Sequence, residues 1–166
     1  NDEVLARSKS GHLKVFDRMI EKGKMTRDEV NTVLSRINYT STLADMRDCG
    51  LVIEAIVENI EVKHKVFAEL ESIVSQECIL ASNTSSLSIA SIGSVLKKAD
   101  RIIGIHFFNP APLMPLVEII PAVQTSSETL TICKQLIADW KKVGVVCKDT
   151  PGFIVNRVAR PFYGEA

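Results

Sequence analysis

His106 and Glu118 are the residues whose types and spacing best suit chemistry. Each interrupts an otherwise apolar run: His106 stands near the end of residues 101–108, and Glu118 lies inside 116–120. A buried imidazole and a buried carboxylate are costly unless paired, and the readiest partner of each is the other. An unperturbed imidazole titrates near neutral pH, which suits a general base. A carboxylate that takes its second ring N–H would fix the tautomer and stabilise the imidazolium. The same pair would also serve as a plain structural contact, and spacing alone does not separate the two readings.

Four further polar groups stand where apolar runs end: Glu58-Asn59, Asn83-Thr84-Ser85-Ser86, Asn109, and Asp149-Thr150 with Asn156. In open α/β sheets ligands sit outside the carboxyl ends of the strands, so these groups are expected to meet His106 at one rim. Ser85 is a candidate donor to a substrate oxygen, or a turn residue. Asn156 is a candidate ligand-positioning residue, or a helix cap. No G-x-S-x-G elbow supports a serine nucleophile. No G-x-G-x-x-G loop is present, because Gly50, Gly93, Gly104, Gly144 and Gly152 are scattered. Cys49, Cys78, Cys133 and Cys147 have no metal-site spacing and read as unpaired thiols of a reducing compartment, so no metal is expected.

The elements that must position these residues follow from periodicity. Residues 1–22 read as a helix closed by Gly23, and Thr26 to Glu29 is a capping box opening a second helix with Ile37 inside it. Residues 39–41 read as a short strand and 43–48 as a helical turn. The run 50–57 is apolar on both faces except Glu54, which suits a buried parallel strand. Asn59 caps a helix to about residue 76. Strand 78–82, helix 87–96 and strands 101–108 and 116–120 come next. Thr125 to Glu128 reads as another capping box, with its helix ended by Gly144. A strand over 145–148, a turn over 149–152 and a helix from Phe153 complete the order. Strand–helix alternation implies right-handed crossovers and a mostly parallel α/β sheet.

Composition narrows the classes. The 166 residues carry 20 basic and 20 acidic side chains, a formal net charge of +0, which gives no electrostatic footprint for nucleic acid or a membrane surface. No apolar run approaches the roughly 18 residues of a membrane span. The basic group Lys14, Arg18, Lys22 and Lys24 reads as the solvated side of a helix, or as a phosphate contact.

The motifs IEAIVEN (53–59), SNTSSLSI (82–89), GIHFFNPAPLMPLVEII (104–120) and KDTPGFIVNR (148–157) together resemble the L-3-hydroxyacyl-CoA dehydrogenase family. The resemblance covers nearly the whole chain and is strongest from Gly50 onward. It implies an incomplete Rossmann-like, doubly wound, mostly parallel sheet with helices on both faces. It implies NAD-dependent oxidation of a 3-hydroxyacyl-CoA in fatty-acid or related acyl-CoA degradation. His106 matches the base, Glu118 its orienting acid, and Ser85 and Asn156 the residues that bind substrate and reacting oxygen. Glu58, Lys63, Asn109 and Ser85 match positions near the cofactor, and Lys22 falls near a basic residue that meets CoA. Alternatives are a 3-hydroxyadipyl-CoA or 3-hydroxybutyryl-CoA variant, or a non-catalytic relative that keeps the fold.

The resemblance also implies segments not found in this sequence. The family begins with a strand, a Gly-rich turn, a helix and a second strand, and ends in a helical domain that supports dimerisation. Residues 1–151 are therefore expected to be an NAD-binding-type domain without its first strand–turn–helix–strand. Residues 152–166 are expected to start the linker helix to the helical domain. The full-length protein is expected to be a homodimer of the cytoplasm or the mitochondrial matrix. The 166 residues alone are expected to have little or no activity.

Overall fold

The computed structural model describes residues 2–164, and side-chain surroundings through residue 159. The chain divides into two compact units, Asn1–Asp45 and Met46–Ala166.

In the first unit, α1 (Asp2–Glu21) has Asp2 and Glu3 in its first turn, where they suit the positive end of the helix dipole. Gly23 adopts φ 65°. That left-handed residue lets Gly23 N–H reach Ile20 O at 2.9 Å and Lys24 N–H reach Met19 O at 2.9 Å, which ends the helix. The capping box at Thr26 forms: Glu29 N–H donates to Thr26 Oγ1 at 3.3 Å and Thr26 N–H to Glu29 Oε2 at 2.7 Å. It opens α2 (Arg27–Leu34), which stops before Ile37 and buries Val30. The strand expected over 39–41 is not formed. Thr40 Oγ1 instead accepts Thr42 N–H at 3.0 Å and donates to Asp45, a local side-chain turn in place of a ladder.

The second unit is a five-stranded sheet in the order β1 (Leu51–Glu54), β2 (Ile79–Ser82), β3 (Ile102–Phe107), β4 (Leu116–Pro121), β5 (Val143–Val146). All neighbours are parallel except β3 and β4. The crossovers contain α3 (Ile60–Ile73), α4 (Ile89–Gly93) and α5 (Ser127–Asp139), and α6 (Val155–Gly164) follows β5.

Alternating strand residues face opposite sides. Ile79, Ala81, Ile103, Ile105, Val117 and Ile119 pack with Cys133 and Ile137 of α5. The next residues along the strands meet α4. A Cβ on Gly104 would lie 2.8 Å from Ile120 Cβ and 2.9 Å from the tip of Ile89, so the glycine leaves room for both side chains between β3 and α4. Full burial of each such aliphatic side chain contributes about 1.5–3 kcal/mol.

Several expected boundaries move: the last strand, expected over 145–148, is Val143–Val146, the helix expected over 87–96 is only Ile89–Gly93, and the final helix starts at Val155 rather than Phe153. The first strand ends at Glu54 rather than residue 57, because the Glu54 carboxylate takes Ile56 N–H at 2.6 Å and turns the backbone out of the ladder. The cap of α5 is Ser126, which accepts Thr129 N–H at 3.1 Å. Thr125 Oγ1 is used to accept Ala122 N–H and to donate to Ile102 O. Helix α5 ends at Asp139, with Lys141 at φ 57° rather than a glycine. Gly144 lies within β5, where a Cβ would meet Ile119 at 2.9 Å and Ile137 at 3.1 Å.

Candidate active site

The antiparallel register of β3 and β4 sets His106 opposite Glu118. Directly paired residues project to the same face of the sheet. His106 Nδ1 lies 2.8 Å from Glu118 Oε2, with side chains 7% and 1% exposed. A carboxylate only accepts, so Nδ1 carries the proton and Nε2 is left as the acceptor nitrogen. The other oxygen, Oε1, accepts Ile154 N–H and Val155 N–H, each at 2.9 Å. The imidazole is flanked by Phe108, centroids 4.7 Å apart, and Phe153, 5.7 Å apart.

The loop after β2 comes to the same rim. Asn83 Oδ1 accepts Phe107 N–H at 2.9 Å, which ties the end of β2 to the end of β3. Glu58 Oε1 accepts Thr84 Oγ1–H, Ser85 N–H at 3.1 Å and Ser86 Oγ–H at 3.0 Å. Asn156, in the first turn of α6, donates from Nδ2 to Ser85 O at 3.4 Å. These contacts hold the loop through the backbone of Ser85. The rim therefore holds two hydrogen-bonded sets, Glu58–Ser85–Asn156 and His106–Glu118, joined by the backbone where Val155 N–H meets Glu118 and Asn156 follows.

A second polar network lies under this loop. Lys63 is 1% exposed, with Nζ 2.6 Å from Glu54 Oε1 and 3.3 Å from Glu58 Oε2. Glu54 Oε2 accepts Ser82 Oγ–H at 2.6 Å, and Ser82 Oγ accepts Thr84 N–H at 3.2 Å. Burial pushes the Glu58 carboxyl up, but the hydrogen bonds from Thr84, Ser86 and Ser85 and the Lys63 charge outweigh it and hold the group below the usual range. Lys63 thus meets the rim through Glu58. In the sequence Glu54 reads only as a break in an apolar strand. The sign that revealed Glu118, a lone carboxylate in an apolar run, was present there too.

Other sequence candidates have different surroundings. Asn59 caps α3 by accepting Val62 N–H at 3.0 Å. Asp149 caps α4, accepting Ile89 N–H at 2.9 Å, Ala90 N–H at 2.8 Å and Ser88 Oγ–H at 2.9 Å. Asn109 is exposed in the loop after β3. Lys142 anchors that loop, donating to Ala111 O at 2.7 Å and Met114 O at 2.9 Å. Lys22 belongs to the first unit, where its N–H closes α1 on Arg18 O at 3.1 Å. Among the described residues no cluster of His, Cys, Asp or Glu is arranged to hold a metal ion, and no helix is long and apolar enough to cross a membrane.

Residues 1–150 match the family model described as 3-hydroxyacyl-CoA dehydrogenase, NAD binding domain. A probable 3-hydroxybutyryl-CoA dehydrogenase of Deinococcus radiodurans is 45% identical over 99% of this chain and 59% of its own length. The 3-hydroxyadipyl-CoA dehydrogenase of Escherichia coli is 40% identical over 99% of this chain and 34% of its own. Among solved structures, (S)-3-hydroxybutyryl-CoA dehydrogenase from Ralstonia eutropha superposes with a TM-score of 0.96 at 38% identity, covering 99% of this chain and 58% of that one. The chain thus spans well under two thirds of the length of these relatives.

Proposed function

The chain belongs to the 3-hydroxyacyl-CoA dehydrogenase family, as part of its NAD-binding domain, and from that premise we propose that it carries the general-base half of an NAD-dependent oxidation of an L-3-hydroxyacyl-CoA to the 3-ketoacyl-CoA. The observation that carries this reading is the 2.8 Å His106–Glu118 hydrogen bond, held at the same rim as Ser85 and Asn156. His106 Nε2 takes the proton of the 3-hydroxyl group. Glu118 keeps the second ring nitrogen protonated and stabilises the imidazolium that forms. Ser85 and Asn156 hydrogen-bond the reacting oxygen, which fixes it against Nε2.

The residues present fit the nicotinamide end of a dinucleotide. Glu58 exposes 37% of its side chain at the carboxyl end of β1, and its depressed titration keeps it an acceptor for hydroxyl groups. Ser85 and Asn109 are the other proposed contacts, with Lys63 acting from behind Glu58. NAD supplies the acceptor for the hydride that leaves C3. Lys22 is the proposed contact to the CoA moiety, and a homodimer in a reducing compartment is the proposed full-length state.

The test is turnover by the protein that carries this chain at the full length of its relatives. L-3-Hydroxybutyryl-CoA and L-3-hydroxyadipyl-CoA, offered with NAD, are expected to yield NADH, and the D-enantiomers are not. Equal rates with both enantiomers, or none with either, would reject the reading.

A further inference from the structure

The turn between β5 and α6 has two residues with left-handed backbone. Gly152 has φ 76° and Phe153 has φ 48°. Glycine adopts this region freely, but for a bulky residue such as phenylalanine it is an outlier that the surroundings must enforce. At Gly152 an added Cβ would also lie 3.2 Å from Arg157 N, so no other residue fits without shifting the start of α6. The consequence of this geometry falls on the dyad. Phe153 is 3% exposed, and its ring lies 5.7 Å from His106 at an interplanar angle of 59°. The next two amides, of Ile154 and Val155, both point at Glu118 Oε1.

We propose that the Gly152–Val155 turn positions the His106–Glu118 pair, with Phe153 as its wedge and the two amides as its clamp. Glu118 sits in a strand whose backbone fixes its Cα, but its carboxylate still has side-chain torsions to choose. Two N–H donors on one oxygen leave a single orientation in which the other oxygen meets Nδ1. The Phe153 ring and the Phe108 ring, 4.7 Å from the imidazole, restrict rotation of His106. The strained φ at Phe153 delivers the ring and the amides together, because a relaxed φ would carry the ring away from His106 and swing both N–H groups off Oε1. Phe153, Ile154 and Val155 are positioning residues here: they act through His106 and Glu118. The catalytic part of the inference rests on the dyad reading above; the geometric part does not.

The experiment is ¹⁵N NMR of the histidine side chains in the full-length protein, with the His106 resonances assigned by their loss in His106→Gln. The parent is expected to show His106 as the Nδ1–H tautomer, with its proton shifted to low field by the carboxylate. Val155→Pro deletes one amide donor at the first helical position, which accepts proline well. Phe153→Gly keeps the left-handed backbone and removes the ring. Either change is expected to cause loss of the low-field signal and mixing of the two His106 tautomers, while the amide spectrum of β1 and β2 is unchanged. In the full-length enzyme the same changes should lower kcat by about 10–100-fold with KM little altered. Phe153→Leu should restore part of it. A folded Val155→Pro chain with the His106 signal intact would overturn the proposal. Loss of the signal in a full-length enzyme whose His106→Gln form still turns over would instead reject the catalytic reading and leave the positioning result standing.

Discussion

Glu118→Gln tests how the site works, because the surroundings dictate which way the amide must face. The carboxylate has three partners: two backbone N–H donors on Oε1 and His106 Nδ1 on Oε2. If the glutamine NH₂ faced Ile154 and Val155, two buried donors would lose their acceptor, at about 1–3 kcal/mol each. If the NH₂ faces His106, only one contact is disturbed, and the ring relieves it by moving its proton from Nδ1 to Nε2. The second arrangement is therefore favoured by a few kcal/mol on the same scale. It makes Nε2 a donor where the proposed reaction needs an acceptor. An amide in place of the carboxylate behind a catalytic histidine lowers kcat on the order of 10⁴-fold, which is about 5 kcal/mol of barrier. The proposed substrate contacts through Ser85 and Asn156 remain, so KM should change little. The fold should lose only about 1–2 kcal/mol, since both backbone bonds survive. Steady-state kinetics of the full-length variant with NADH and acetoacetyl-CoA, beside a urea unfolding curve, measures both. A folded variant within tenfold of the parent kcat would refute the reasoning.

Lys63→Met should destabilise the fold by about 3–5 kcal/mol, because it strands the fully buried Glu54 carboxylate; a denaturant midpoint that does not move would contradict this, and Glu54→Gln added to it should recover much of the loss. Glu58 titrates below its unfolded value, so its contribution to stability is complete above the ordinary glutamate range of roughly 4.3 and is lost as pH falls through the lower folded value. Glu58→Gln should accordingly flatten the acid limb of the unfolding midpoint against pH and leave the neutral region less affected. Cys133 and Cys147 are buried, and burial pushes both thiols up to about 11, with Glu118 and Asp149 adding to the effect at Cys147. Alkylation near pH 8 followed by mass spectrometry should therefore label the half-buried Cys49 well before either of them.

The dyad was legible in the sequence because His106 and Glu118 break apolar runs, and a buried polar group announces a partner. The parallel crossovers were legible from the strand–helix alternation, and the caps at Thr26 and Asn59 from their side-chain chemistry. Other features depend on contacts that no local pattern encodes. Gly144 reads like a helix terminator, yet it lies within β5, where a Cβ would press on the Ile119 and Ile137 side chains. Thr125 and Ser126 are both plausible caps, and the choice between them is made by Ile102 O across the sheet. The burial of Lys63 follows from two carboxylates nine and five residues upstream that meet only when β1 and α3 pack. The left-handed φ of Phe153 contradicts the preference of its own side chain, so local propensity points away from it.

His106 is proposed as the base of a hydride-transfer reaction, and His106→Gln in the full-length protein puts that role to the test. The measurement is kcat for NAD-dependent oxidation of L-3-hydroxybutyryl-CoA, at saturating substrate and with folding verified. A fall of about 10²–10⁴-fold is expected, the range for loss of a general base, with substrate KM nearly unchanged. A folded His106→Gln enzyme that turns over within a few-fold of the parent would contradict it.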